Sequence, residues 1–327
     1  MSGKAGEDAE LPEEGDLGER PRWRRTLKPG LIALAIVLIL YYPVGMLLVH
    51  RIDDNPDFAL TADDLPAGGS RTVAMMAALI DREVNQHRWV ASDPFFMPGA
   101  ALDNMPNFQE GIMAALGRVA FELTDQLGRT RGSSRVDPDL QSAAGFLQYP
   151  GNRWVVNFSV SQLVTATSAS QYREARKALL AYNRRLAGNQ ADFERRSDNL
   201  QATLDRIAAD LGSSSAIIDT HVTEYSHQWI DWHDDDVFYS VKGQVYAYYL
   251  MLRELGQDYA SVIKERQLDA TWAQMLLSLR HAATLRPWVV MDGLPDGAIF
   301  PNHLAVEGFY LLRARTQLRE ATSILQK

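Results

Sequence analysis

Apolar and polar positions alternate in three different ways along this chain. Residues 30–49, GLIALAIVLILYYPVGMLLV, form an unbroken apolar run without a single charge. Twenty residues at the helical rise reach about 30 Å, the thickness of a bilayer's hydrocarbon core. The run predicts one transmembrane helix. A cleaved signal sequence has a shorter apolar region followed by small residues at a cleavage site. Here the run passes through Met46, Leu47, Leu48 and Val49 straight into HRIDDNPDF, which favours an uncleaved anchor. Pro43 inside it removes one helical hydrogen bond; a tolerated kink is preferred to a contact with a membrane partner.

Residues 50–69, rich in acids, prolines and glycines, predict a linker. From residue 70 onward the spacing becomes helical. Val73, Met76, Ile80 and Val84 follow Ser70, a candidate N-cap, and Phe108, Ile112, Leu116, Val119, Leu123 and Leu127 repeat at steps of three and four. Asn107 and Glu110 stand in the relation of a capping box. Asp137 and Pro138 open a helix over 138–147. Tyr172 to Leu186 mark the next, and Phe193 to Leu211 another that Gly212 is expected to stop. Further helices are predicted near 214–230, 234–255, 268–285 and 303–325. RWVVNFSV (153–160) is the best strand candidate, with no evident strand to pair with. The predicted fold is all-α: a transmembrane helix, then a domain over 70–327 made of a bundle of about eight helices. Two long loops, 89–106 and 286–303, interrupt it. DPFFMPG (93–99) in the first is taken as a lid over the core in preference to a docking patch.

Charge orients the anchor. Five Lys or Arg residues lie between positions 20 and 28, whereas Arg51 is the only one in residues 50–70, and the positive flank stays cytoplasmic. The expectation is an inner-membrane, single-pass protein with a periplasmic C-terminal domain. Residues 1–29 are expected to form a disordered cytoplasmic tail, acidic up to residue 19 and then basic. Of the net charge of −8, residues 51–327 carry −7, which argues against nucleic acid as a partner. The chain has no cysteine, so disulfides and thiolate chemistry are excluded.

The densest chemistry is HQWIDWHDDDVFYSVKG, residues 227–243. His227 and Asp231 are four apart and would share a helix face, and His233 and Asp234 follow, so these four are candidate ligands for a divalent metal. Tyr239 and Lys242 could assist. The competing reading is a capped helix start, with aspartates favourably placed against the helix dipole. The stretch departs from the calcium loop of an EF-hand, and no H-E-x-x-H, G-x-S-x-G or glycine-rich phosphate loop occurs. Glu110, Glu122, Glu224 and Glu307 sit among apolar helical positions and could supply a raised-pKa acid for glycan cleavage, but exposed or capping roles are preferred for them. The helix after the cluster is apolar around most of its circumference, and Gly243 with Ala247 would admit a close neighbour. Lys242 at its apolar edge needs a partner.

DPFFMPGAALDNMPNFQEG (93–111), YNRRL with FERRSDNL (182–200) and WHDDDVFYSVKGQVYAYYLMLREL (232–255), behind one apolar anchor, resemble a family of bacterial single-pass inner-membrane proteins known only as a domain of unknown function. The resemblance implies an envelope protein and carries no activity and no catalytic residues. Two functions are weighed. The first is a non-enzymatic membrane-anchored protein that binds a protein, peptidoglycan or lipid partner. The second is a metal-dependent envelope hydrolase built on His227, Asp231, His233 and Asp234.

Overall fold

The computed structural model describes residues 22–130, 136–156, 164–225, 232–287 and 302–327, with backbone alone for 22–28, 126–130, 223–225 and 232–234. The early tail (1–21) and most of the second long loop (288–301) lie outside them. Ten α-helices are present among the described residues: α1 (Arg22–Val49), α2 (Arg71–Asp81), α3 (Asn104–Thr130), α4 (Pro138–Leu147), α5 (Ser168–Ala187), α6 (Ser197–Tyr225), α7 (Trp232–Asp258), α8 (Ala260–Glu265), α9 (Asp269–Ala283) and α10 (His303–Leu325). The expected all-α class is found. Of the strand candidate, an isolated antiparallel bridge from Val156 to Val164 is seen among the described residues.

Local chemistry sets several helix starts as expected. The Ser70 hydroxyl accepts from the Val73 amide, and the Asp137 carboxylate accepts from Asp139 and Leu140 ahead of Pro138 in the first turn of α4. Two expectations are corrected. α3 begins at Asn104, with Pro106 tolerated in the first turn where its missing N–H costs nothing. Asn107 therefore lies inside the helix, its amide donating to the Asp103 carbonyl (3.1 Å) and to Asp236 (2.6 Å). Nor does Gly212 end a helix. α6 runs on through Gly-Ser-Ser-Ser, and Gly212 faces α10: a Cβ on it would stand 2.8 Å from Cζ of Arg315.

The core is organised around α7, whose apolar residues are buried on all sides, Phe238, Val245, Tyr248, Leu250 and Leu252 each showing no exposed surface. It packs against α3, α9 and α2, while α4 and α5 back α2 and α3, and α10 lies across α6 and α9. α3 and α7 approach closely because each contributes a glycine. A Cβ on Gly243 would fall 2.1 Å from the Phe108 carbonyl oxygen, and one on Gly111 2.1 Å from that of Ser240. The C-terminal end of α7 reaches α2, where the Asp258 carboxylate accepts from the Ser70 hydroxyl (2.7 Å) and the Arg71 and Thr72 amides (2.9 and 3.0 Å). An anion at a helix N-terminus satisfies amides that the helix leaves unpaired.

After α2 the backbone widens into a single π-helical turn, Arg82–Gln86, and two residues further on Arg88 takes a positive φ of 66°. Such turns are frequent at functional sites. This one carries Arg82 and Glu83 into the core.

Candidate functional site

One stripe of α7 grips the chain that leaves α1. Lys242, Tyr246 and Arg253 recur at steps of four and seven, which on a helix puts them on one face. The Lys242 ammonium donates to Asp54 at 2.7 Å and to the Leu285 carbonyl at 2.5 Å. The Tyr246 hydroxyl donates to the Asn55 carbonyl at 2.8 Å, and Arg253 donates to the carbonyls of Pro56 (2.9 Å) and Phe58 (2.5 Å). Residues 54–58 are thus laid along the central helix.

Two buried ionic groups flank this stripe. Arg82, only 1% exposed, donates to Glu83 (2.8 Å) and to the Tyr246 hydroxyl (2.6 Å), and its guanidinium lies over the rings of Phe58 and Tyr246. Around Lys242, Asp54 is shared with Arg286. Burial alone would raise the Asp54 carboxyl, but the hydrogen bonds from Arg286 and Lys242 hold it below the usual carboxylate range. Lys242 is pulled down by burial, against the opposing pull of Asp54. Glu307, on the first turns of α10, is fully buried; among the described residues neither carboxyl oxygen has a hydrogen-bond partner, and burial pushes it well above its ordinary range.

The sequence candidates fall as follows. His227 and Asp231 lie outside the described residues, and His233 and Asp234 occupy the first turn of α7. Tyr239 and Lys242 are brought together, the ammonium 5.8 Å from the ring centroid. Burial, with Asp235, Asp54 and Asp103 nearby, pushes the Tyr239 hydroxyl up to about 12. Burial and the neighbouring Asp103 and Asp236 push Asp235 up to about 6. Among the described residues no three His, Asp or Glu side chains are grouped so as to hold a metal ion. Of the glutamates, Glu110 is raised by burial in a separate place, near Tyr172 and under Gly151. Asp54, Arg82 and Arg286 were invisible as site residues in the sequence: Asp54 meets Lys242 and Arg286, and Arg82 meets Tyr246, each across more than 160 residues.

On the side of the domain nearest α1, DPFFMPG is not a lid over the core. Phe95 is 84% exposed and Phe96 45%, and a 3-10 turn, Pro98–Ala101, packs on α1 instead. The reason is a small-residue seat: a Cβ on Gly45 would meet the Pro98 ring at 2.3 Å. Tyr41 donates to the Phe96 carbonyl (3.1 Å) and Tyr42 to that of Phe95. The neighbourhood of Pro43 thus makes a contact within its own chain. Above it opens a cleft of about 440 Å³, lined by Leu47, Leu48, Val49, His50, Arg51, Gln86, His87 and Arg88. Within α1, Pro29–Val49 is long and apolar enough to cross a membrane, and none of its most apolar window is buried.

No curated protein and no solved structure matches this chain. The profile of a family described as uncharacterised protein conserved in bacteria, DUF2333, matches residues 58–230 and 218–327, which together take in the whole helical domain after α1. By that match the chain belongs to the DUF2333 family of bacterial proteins.

Proposed function

We propose that this protein is a single-pass envelope protein of the bacterial inner membrane, with its N-terminal tail in the cytoplasm and its helical domain in the periplasm. The domain serves as a binding module, for a protein, peptidoglycan or lipid partner, held in a fixed pose on its anchor. The observation that carries this reading is the seat of Pro98 against Gly45, with Tyr41 and Tyr42 donating to the loop carbonyls. A leader that is cut off during export has no use for a tailored contact with the mature domain. The grip of Lys242, Tyr246 and Arg253 on residues 54–58 extends the same rigid connection into the core. The basic flank before the apolar run supports the orientation.

The test is made on the full chain in cells. The protein should stay in the membrane after an alkaline wash, retain residues 30–49 by mass spectrometry, and lose its domain to protease added to spheroplasts. A soluble product beginning after residue 49 would sink the anchor, and a protease-resistant domain would reverse the orientation.

A metal-dependent hydrolase using His227, Asp231, His233 and Asp234 is the second reading. One observation favours it: Asp235, beside these residues, has a carboxyl near 6 and neighbours in Asp103 and Asp236, so negative charge concentrates at the start of α7.

A further inference from the structure

We propose that the loop Asp93–Met97 is itself a membrane-inserted prong, with Phe95 among the acyl chains of the outer leaflet and the cleft beside it at the level of the lipid phosphates. The inference rests on the reading of Pro29–Val49 as a membrane span and deepens it by naming bilayer lipid as the occupant of this surface.

Depth along α1 carries the argument. Tyr42 lies seven residues before Val49, which at the helical rise is about 10 Å below the end of the apolar run. The Tyr42 hydroxyl donates to the Phe95 carbonyl, and the Tyr41 hydroxyl to the Phe96 carbonyl at 3.1 Å. Whatever medium surrounds Tyr42 therefore surrounds Phe95 as well. Leu47 and Leu48, between this contact and the end of the run, are each 81% exposed and belong in the same medium. Phe95 turns 84% of its surface outward, matching the 81% of Leu47 and Leu48 on the neighbouring apolar run. Phe96 packs edge-on against Trp154 at 5.5 Å, and aromatic rings favour the headgroup boundary.

The polar end of the loop matches this placement. Arg88 donates to both Asp93 oxygens at 2.7 Å, tying the loop to the cleft wall. His87 of that wall lies 3.6 Å from the buried Glu83 behind it. Arg51 and His50, on the turn that leaves α1, are exposed and add cationic and hydrogen-bonding capacity where the phosphates of the outer leaflet lie.

The chain has no cysteine, so single cysteines can be spin-labelled without background. Three full-length variants, Ile36→Cys, Phe95→Cys and Ala270→Cys, are labelled and reconstituted into nanodiscs of phosphatidylcholine and phosphatidylglycerol. Relaxation by oxygen, which concentrates in lipid, is compared with relaxation by a water-soluble nickel chelate. All three sites are exposed, and melting of the labelled proteins verifies the fold. The oxygen-to-nickel ratio at position 95 is expected to follow position 36 and to exceed position 270 several-fold. If position 95 behaves like 270 while 36 remains oxygen-favoured, the prong is overturned and the span stands. If position 36 is itself nickel-accessible, the span reading fails first.

Discussion

The Lys242 ammonium and the Asp54 carboxylate meet at 2.7 Å across 188 residues of sequence, with side chains 2% and 4% exposed. A buried pair is weak evidence of net stability, yet removing one member is costly, because the other charge is left in a low-dielectric site. Arg286 still holds Asp54 when Lys242 is gone, so Lys242→Met is expected to destabilise the protein in denaturant unfolding by less than the roughly 3–5 kcal/mol of a fully orphaned buried charge. In a double-mutant cycle with Asp54→Asn the two losses should fall short of additivity. Additive losses would mean that the two side chains do not act as a pair. Since Asp54 leads the chain out of α1, the same variants should loosen residues 54–58 in hydrogen exchange before the rest of the domain.

Glu307 gives a prediction of opposite sign. Its folded carboxyl is raised well above the ordinary 4.5 by burial, with neither oxygen hydrogen-bonded among the described residues. The folded chain then holds a proton that the unfolded chain has released, so this group's contribution to stability falls as pH rises above about 4.5 until the folded value is passed. Glu307→Gln keeps the shape of the protonated acid and cannot ionise. It should match the wild type near pH 4.5 and gain on it as the pH rises from there, measured by melting temperature. A constant difference across that range would show that Glu307 titrates normally.

The α3–α7 contact admits a paired test. Gly243→Ala and Gly111→Ala each drive a methyl to 2.1 Å from a backbone oxygen, which only a shift of one helix can relieve. Losses of about 1–3 kcal/mol or more are expected from overpacking. Gly145, in α4, meets nothing within 4 Å, so Gly145→Ala should stabilise by roughly 0.5–1 kcal/mol through helix propensity. Equal effects at the three positions would contradict the close approach.

What the sequence disclosed follows the range of each interaction. Helix starts at Ser70 and Asp137 were legible because the cap and the amides it satisfies lie within three residues. The closeness allowed by Gly243 was legible too, but its partner Gly111 was not, since periodicity says which face is apolar and not which helix covers it. Gly212 misled because a glycine that ends a helix and one that faces a neighbouring helix look alike until Arg315 is in place. The need of Lys242 for a partner was readable from its apolar setting, whereas Asp54, 188 residues away in a stretch resembling a linker, was not. The turn of DPFFMPG toward α1 was hidden for the same reason: two phenylalanines in sequence do not reveal whether core, solvent or lipid will face them.

If the start of α7 is a capped helix end in a binding module, purified full-length protein should contain no stoichiometric divalent metal. His227→Ala with Asp231→Ala should then leave melting unchanged in zinc, calcium, magnesium or manganese and in chelator. For Asp235, a carboxyl near 6 marks burial first and then repulsion from Asp103 and Asp236, and a resident divalent cation would offset both and pull the carboxyl down. Two readouts therefore move together. Under the binding-module reading the Asp235 carbon resonance titrates near pH 6 with or without added metal. Under the hydrolase reading, metal displaces that titration to lower pH, elemental analysis finds one ion per chain, and the double alanine variant abolishes both.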